Sequence, residues 1–298
     1  MAEEYTFNNE LTPHKPLSKY FGLDHLLLRD ESKNPTGTIK DRRAIAINDH
    51  LSHRPKYHQY VSIVVITAGN EGVALGTLCI LPVTAIVRED IEPRILHKLE
   101  ETCEHVVKKD LDKTFYSGDD VRFMANILQP NNVFDANNLR VTYREIAYSI
   151  REQAPDYVVV PVGGAELFTG IEHHLGDTPT KVIGVAVSGE NPYQKAIQGV
   201  SAMKYLGVSF YDGFARNSLA DKAATPISRY TDELRDAVHR GNHFIELNPE
   251  EVEQAYHLSK ELGLDMEPTA ALVLGGMKKF DFKASDKVVV VNTGKGIF

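Results

Sequence analysis

Short runs of β-branched and aliphatic residues alternate along the chain with stretches whose apolar positions recur at helical spacing. The runs 61–66 (VSIVVI), 83–87, 157–162, 181–187 and 287–292 are almost continuously apolar, the pattern of strands buried on both faces of a sheet. Between them 41–51, 71–78, 92–103, 141–153, 166–174 and 249–262 read as helices. Strand, turn and helix in repeated order predict an α/β fold with mostly parallel strands and right-handed crossovers. The segment 201–227 lacks periodicity, is rich in Gly, Ser and Ala, and reads as a long loop over a site.

Open α/β sheets bind ligands beyond the carboxyl ends of their strands, so the residues after each strand matter most. Thr67-Ala68-Gly69-Asn70-Glu71-Gly72 follows the first run and opens a helix. Gly163-Gly164-Ala165-Glu166 follows 157–162 and opens another, and Thr293-Gly294-Lys295-Gly296 follows 287–292. Such glycines also serve as plain turn residues. The dinucleotide pattern G-x-G-x-x-G is absent from all three turns, and no helix can follow 293–296 to complete a P-loop, which leaves a nucleotide-binding reading the weakest. A fourth segment is more specific. Asn34-Pro35-Thr36-Gly37 forces a turn, Thr38 is positioned as an N-cap, and Lys40 falls in the first helical turn. A cation there opposes the helix dipole, which tends to lower a lysine pKa; the alternative is an ordinary exposed lysine.

Composition narrows the classes. The 298 residues carry 33 Lys+Arg and 41 Asp+Glu, a net charge of −8 that argues against a general nucleic-acid binder. Two cysteines make no disulfide framework, and a reduced, cytoplasmic setting is expected. The acidic start has no apolar signal region, and no apolar run is long enough to span a bilayer, so no membrane partner is expected. His50, His53 and His58, or His239 and His243, match no metal-ligand spacing, and no metal is expected.

Asn34-Pro-Thr-Gly-Thr-Ile-Lys40-Asp-Arg42 resembles the N-P-T-G-S-F-K-D-R motif of threonine synthases and the P-G-G-S-V-K-D-R version of cysteine synthases. Both belong to the fold-type II (tryptophan synthase β-like) pyridoxal-phosphate-dependent enzymes. The other turns are similar to that family's motifs, in the same order: 67–72 to S/T-S-G-N-x-G, 162–170 to the glycine-rich phosphate cup, Glu267-Pro-Thr-Ala-Ala271 to E-P-x-x-A, and 293–296 to the terminal S/T-G-x-G. The resemblance implies two open, twisted, mostly parallel sheets flanked by helices, with the cofactor in the interdomain cleft. It implies a large cofactor-binding domain from 1–40 plus 152–298, and a smaller mobile domain from 41–151 that is trimmed after Gly72. It implies a homodimer acting on a small amino-acid substrate.

The same resemblance implies roles. Lys40 would bond pyridoxal 5'-phosphate through its amine and then move protons at the substrate α-carbon. Asn70 would hydrogen-bond the ring hydroxyl, and Gly163, Gly164, Ala165, Glu166 and Leu167 would cradle the phosphate. Thr293 would face the pyridine nitrogen. The backbone of Thr67, Ala68, Gly69, Asn70 and Glu71 would hold the substrate carboxylate. β- or γ-elimination or replacement is the implied chemistry, threonine synthase-like or cysteine synthase-like, with a threonine/serine dehydratase-like deaminase as an alternative. Four residues depart from the pattern. Ala165 and Glu166 replace glycines of the cup, Ala68 replaces a hydroxyl residue, and Glu71 stands where Thr or His is usual. Acids at turns where anions should bind keep a further alternative open, a homologue without catalysis that acts as a binding or regulatory protein.

Overall fold

The computed structural model describes residues 7, 9–52, 62–109, 142–189, 191–200, 203–205, 208–210, 218–220, 223–224, 227–228 and 230–296. Val61, Val141, His53, His58 and much of 201–227 lie outside these residues. The chain divides into two compact units. One holds Lys33–Thr142 with short pieces of both termini; the other holds Asn9–Ser32 and Tyr143–Lys295.

The second unit is built on a six-stranded sheet. Its strands are β1 (Leu11–Pro13), β2 (His25–Asp30), β6 (Tyr157–Pro161), β7 (Lys181–Val187), β11 (His243–Leu247) and β12 (Lys287–Asn292), ordered β1-β2-β12-β6-β7-β11. All neighbours are parallel except β1, which pairs antiparallel with β2 at the edge. β12 lies centrally, and Val288 through Val291 are wholly buried, as an unbroken valine run requires. Its helices are α1 (Lys15–Phe21), α5 (Arg144–Glu152), α6 (Glu166–Leu175), α7 (Tyr193–Ile197), α8 (Thr231–His239), α9 (Pro249–Glu261) and α10 (Pro268–Lys279). α9 starts with a reciprocal cap between Asn248 and Glu251. α10 is buried from Ala270 to Met277, and it fits because Gly275 and Gly276 let its backbone approach Leu247 and Val185.

The first unit has a smaller parallel sheet of β3 (Ile63–Ile66), β4 (Val83–Arg88) and β5 (His105–Lys109). Helices α2 (Lys40–Ser52), α3 (Asn70–Leu78) and α4 (Pro93–Thr102) accompany it. Ala44, Ile47, Val65, Val73, Val87 and Leu99 belong to one core that joins α2, α3 and α4 to the sheet. α3 is nine residues long and the next strand begins at Val83.

Several elements escape the sequence pattern. α1 spans only seven residues, and β5 is an edge strand with outward lysines and little burial. The segment expected as a loop contributes Met203–Tyr205, Val208–Phe210 and Ile227–Ser228 (β8, β9 and β10) to a separate antiparallel ribbon. Pairing along that ribbon satisfies backbone groups that apolar periodicity does not report.

Candidate functional site

In the first unit the turn before α2 is held from both sides. The Gly37 N–H donates to the Asn34 carbonyl at 2.8 Å. The Asn34 side chain donates to the Thr38 carbonyl at 2.9 Å. The fully buried Asp41 accepts from the Thr36 N–H at 2.7 Å and also from the Thr36 hydroxyl. Thr38 is a weak cap, its hydroxyl lying 3.4 Å from the Lys40 N–H, so this network rather than the expected N-cap fixes the head of α2. Lys40 is the first residue of that helix.

The turn before α3 is organised by Thr67. Its N–H continues the β3–β4 ladder to the Ile86 carbonyl at 3.0 Å. Its hydroxyl accepts from the N–H groups of Gly69 at 2.9 Å and Gly72 at 3.1 Å. Two of the five backbone donors expected to hold a carboxylate, those of Thr67 and Gly69, are thus engaged within the protein. Gly72 is the only residue that fits its place, because a Cβ would lie 2.6 Å from Leu99 and 2.7 Å from Thr67. Asn70 is buried as the first residue of α3.

The two turns meet through side chains. The Lys40 Nζ lies 3.7 Å from the Glu71 carboxylate, and Arg43 forms an ion pair with the same carboxylate. Lys40 and Arg43 are three residues apart and so share a face of α2. Arg43 was absent from the sequence-derived candidates, although its i+3 spacing from Lys40 was the signal that could have found it. Nearby, burial pushes the Cys79 thiol up to about 12, with the Arg43 charge lowering and Glu71 raising it. That thiol is an inert packing group.

The second unit brings its candidate turns to the carboxyl ends of neighbouring strands, since β6 and β12 pair in parallel. Gly163 and Gly164 lead from β6 to Ala165, which caps α6 with φ 65°, and Glu166 begins the helix. Left-handed backbone at a residue with a Cβ costs about 1–2 kcal/mol, a strain the glycine of the family pattern would not carry. The Gly163 carbonyl accepts from the Tyr193 hydroxyl at 2.5 Å, and the Gly164 carbonyl accepts from the Ser228 hydroxyl at 3.0 Å. The Tyr193 phenol is fully buried, and burial drives its titration far up; the Ser228 hydrogen bond opposes this and the Glu166 charge adds to it. Glu166 is half-buried and near enough for its charge to act on that phenol.

After β12, the Asn292 amide donates to Asp30 at 2.8 Å and to the Asp265 carbonyl at 3.0 Å, while its oxygen accepts from the Gly294 N–H at 3.0 Å. Thr293, buried, is carried on this braced turn. Glu267, also buried, donates its N–H to the Gly294 carbonyl at 3.0 Å and so ties the head of α10 to the same turn.

A family model described as "Pyridoxal-phosphate dependent enzyme" matches residues 3–294. Among curated proteins, a biosynthetic L-threonine dehydratase of Corynebacterium glutamicum is 25% identical over 180 residues, covering 57% of this chain and 39% of that protein. The chain therefore spans well under half the length of that relative. A threonine synthase of Methanocaldococcus jannaschii is 22% identical over 310 residues, covering 94% of this chain and 72% of that one. Among solved structures, a serine racemase from Dictyostelium discoideum superposes with a TM-score of 0.73 at 18% identity, covering 99% of this chain and 95% of that one. At such identity the likeness is one of fold.

Proposed function

The chain belongs to the pyridoxal-phosphate-dependent enzyme family, and from that premise we propose that it acts on an amino acid by β- or γ-elimination or replacement, with Lys40 as the residue that bonds the cofactor. Membership implies pyridoxal 5'-phosphate as that cofactor, and the residues present fit it. The 163–167 turn offers backbone N–H donors at a helix start, which suit a phosphate. Among the described residues no atom lies within 4 Å of the Cβ position of Gly164.

One observation carries the reading. Two motifs about thirty residues apart, one implicated in cofactor bonding and the other in substrate binding, meet at Lys40 and Glu71. When bound, the cofactor supplies an electron sink that lets the α-proton leave. Lys40 supplies the amine that bonds it and then holds or delivers that proton. Asn70 orients the ring hydroxyl. Ala68, Asn70 and Glu71 offer N–H groups to the substrate carboxylate, and Gly163 through Leu167 anchor the phosphate. Thr293 presents a neutral hydroxyl to the ring nitrogen, which suits elimination and replacement. Ala68 provides no hydroxyl acid/base, which disfavours racemisation and is compatible with a dehydratase-like deamination. Threonine synthase-like and cysteine synthase-like replacement remain the favoured forms.

The ion pair of Lys40 with Glu71 favours a second reading, since a lysine kept charged is a poor nucleophile: a binding or regulatory homologue without turnover. The visible spectrum of the purified protein, titrated with pyridoxal phosphate and then with an amino-acid panel, decides between them. A cofactor band lost in Lys40→Ala, with release of ammonia, phosphate, sulfide or a keto acid, supports catalysis. Cofactor binding without turnover of any amino acid supports the second reading, release of any of these products overturns it, and a protein that stays colourless overturns the first.

A further inference from the structure

We propose that Tyr193 and Ser228 are positioning residues that give the 163–167 turn its preference for a phosphorylated ligand over its dephosphorylated form; this rests on the phosphate-cup reading above. Two carbonyls of the turn are pinned by hydroxyls. The Tyr193 hydroxyl donates to Gly163 at 2.5 Å and the Ser228 hydroxyl donates to Gly164 at 3.0 Å. No peptide bond described is cis. In a trans peptide the carbonyl and the following N–H point in opposite directions. Pinning the carbonyls of 163 and 164 therefore aims the N–H groups of Gly164 and Ala165 to the other side, where α6 begins.

Both hydroxyls are themselves fixed. Tyr193 is wholly buried, and Ser228 is 4% exposed. The Tyr193 N–H donates to the Asn191 side chain at 3.1 Å, whose amide donates to the Val187 carbonyl at 2.6 Å at the end of β7. The Tyr193 ring meets Phe244 edge-on with centroids 5.9 Å apart. Ser228 accepts the Tyr230 N–H at 3.1 Å, just before α8. Burial keeps the phenol protonated and hence a donor. Two further elements thus brace a turn whose own glycines would leave it loose.

Glu166 makes this bracing matter. An acid in the first turn of α6 sets a like charge near an anion bound at that helix start, so donors left free to turn away would hold the anion less well. A cup of glycines alone has no such charge to overcome. Preorganised donors, which need not reorient when the ligand arrives, are the physical answer available here.

The test compares two probes, pyridoxal phosphate and pyridoxal, titrated calorimetrically into the chain freed of cofactor. The wild-type chain is expected to bind the phosphorylated probe far more tightly. Tyr193→Phe and Ser228→Ala are each expected to reduce that preference about five- to tenfold, the worth of one hydrogen bond, leaving pyridoxal affinity unchanged. Ser228→Thr, which keeps the hydroxyl, is expected to retain it. If Tyr193→Phe does not fold, the Ser228 pair decides. Folded variants that keep the wild-type preference overturn the proposal and leave the phosphate cup standing. A wild-type chain with no preference overturns the cup reading and the proposal together.

Discussion

Lys40 and Glu71 stand with amine and carboxylate 3.7 Å apart, and Arg43 holds the same carboxylate from one turn further along α2. An opposite charge this close favours the ammonium form of the lysine. The helix dipole at the head of α2 acts in the reverse sense, so the reactivity of Lys40 is set by a contest between them. Glu71→Gln removes the carboxylate and keeps the shape. The pH midpoint for appearance of the cofactor band is expected to fall, and only modestly, because Lys40 is part exposed and Arg43 shares the charge. A midpoint that stays or rises would show that the pair does not govern the amine.

Thr67 organises the substrate-side turn with a single oxygen. Its hydroxyl accepts from Gly69 and Gly72, and its methyl group fills the space against Gly72. Thr67→Val keeps the packing and removes the one acceptor of both bonds. The expected loss is about 1–2 kcal/mol of stability, as for a lost helix cap. Hydrogen exchange at Gly69 and Gly72 is expected to accelerate before global unfolding. Unchanged exchange at those two amides would count against the hydroxyl as the organiser of the turn.

In the second unit β6, β7 and β12 and the helices α5, α6 and α9 were legible because they are buried along an apolar run or face, whereas β1, β2, β11, α1, α7 and α8 were not. Val288–Val291 and Val158–Val160 are short, unbroken β-branched runs, which favour a buried strand over a helix. β2 was missed although Leu26 and Leu28 are just as buried, because the run HLLLRD is short and ends in charge. The site turns were legible from residue type: a lysine at a helix head, glycines after strands. Their partners were not. Nothing in the spacing of Tyr193 or Ser228 announces that they reach Gly163 and Gly164, since those bonds are made by tertiary packing between residues 30 and 64 positions apart. The same holds for Thr67, whose role came from the geometry of its hydroxyl and not from its place in a motif.

α10 packs with almost no clearance. A Cβ on Gly276 would overlap the Val185 side chain on β7, and neither the buried helix nor this interior strand, paired on both sides, can retreat without disturbing its neighbours. Gly276→Ala is expected to cost about 1–3 kcal/mol despite the better helix propensity of alanine. The lowered urea midpoint, with an unchanged slope, is the measurement. Gly176→Ala is the wrong control because its φ is 54°. Gly164→Ala, whose Cβ would meet nothing, tests the packing argument: it is expected to leave the midpoint nearer wild type.

His14 caps α1 as a neutral ring. Its Nδ1 accepts the Leu17 N–H at 3.2 Å, which an imidazolium cannot do. Burial lowers its titration below the ordinary 6.5, with its own backbone carbonyl and Asp30 acting the other way. Between the two values the unfolded chain binds the extra proton and the folded chain does not, so stability rises with pH across that window. The contribution is therefore complete above about 6.5 and is lost as pH falls through the folded value. His243 adds in the same sense: burial lowers it first and the Lys181 charge second. His14→Asn replaces the titrating cap with one that accepts the same bond at every pH. Its urea midpoint is expected to fall less steeply on acidification below neutral pH than that of the wild type, with the two curves meeting toward the alkaline side. Parallel curves would mean that the His14 cap does not couple protonation to folding.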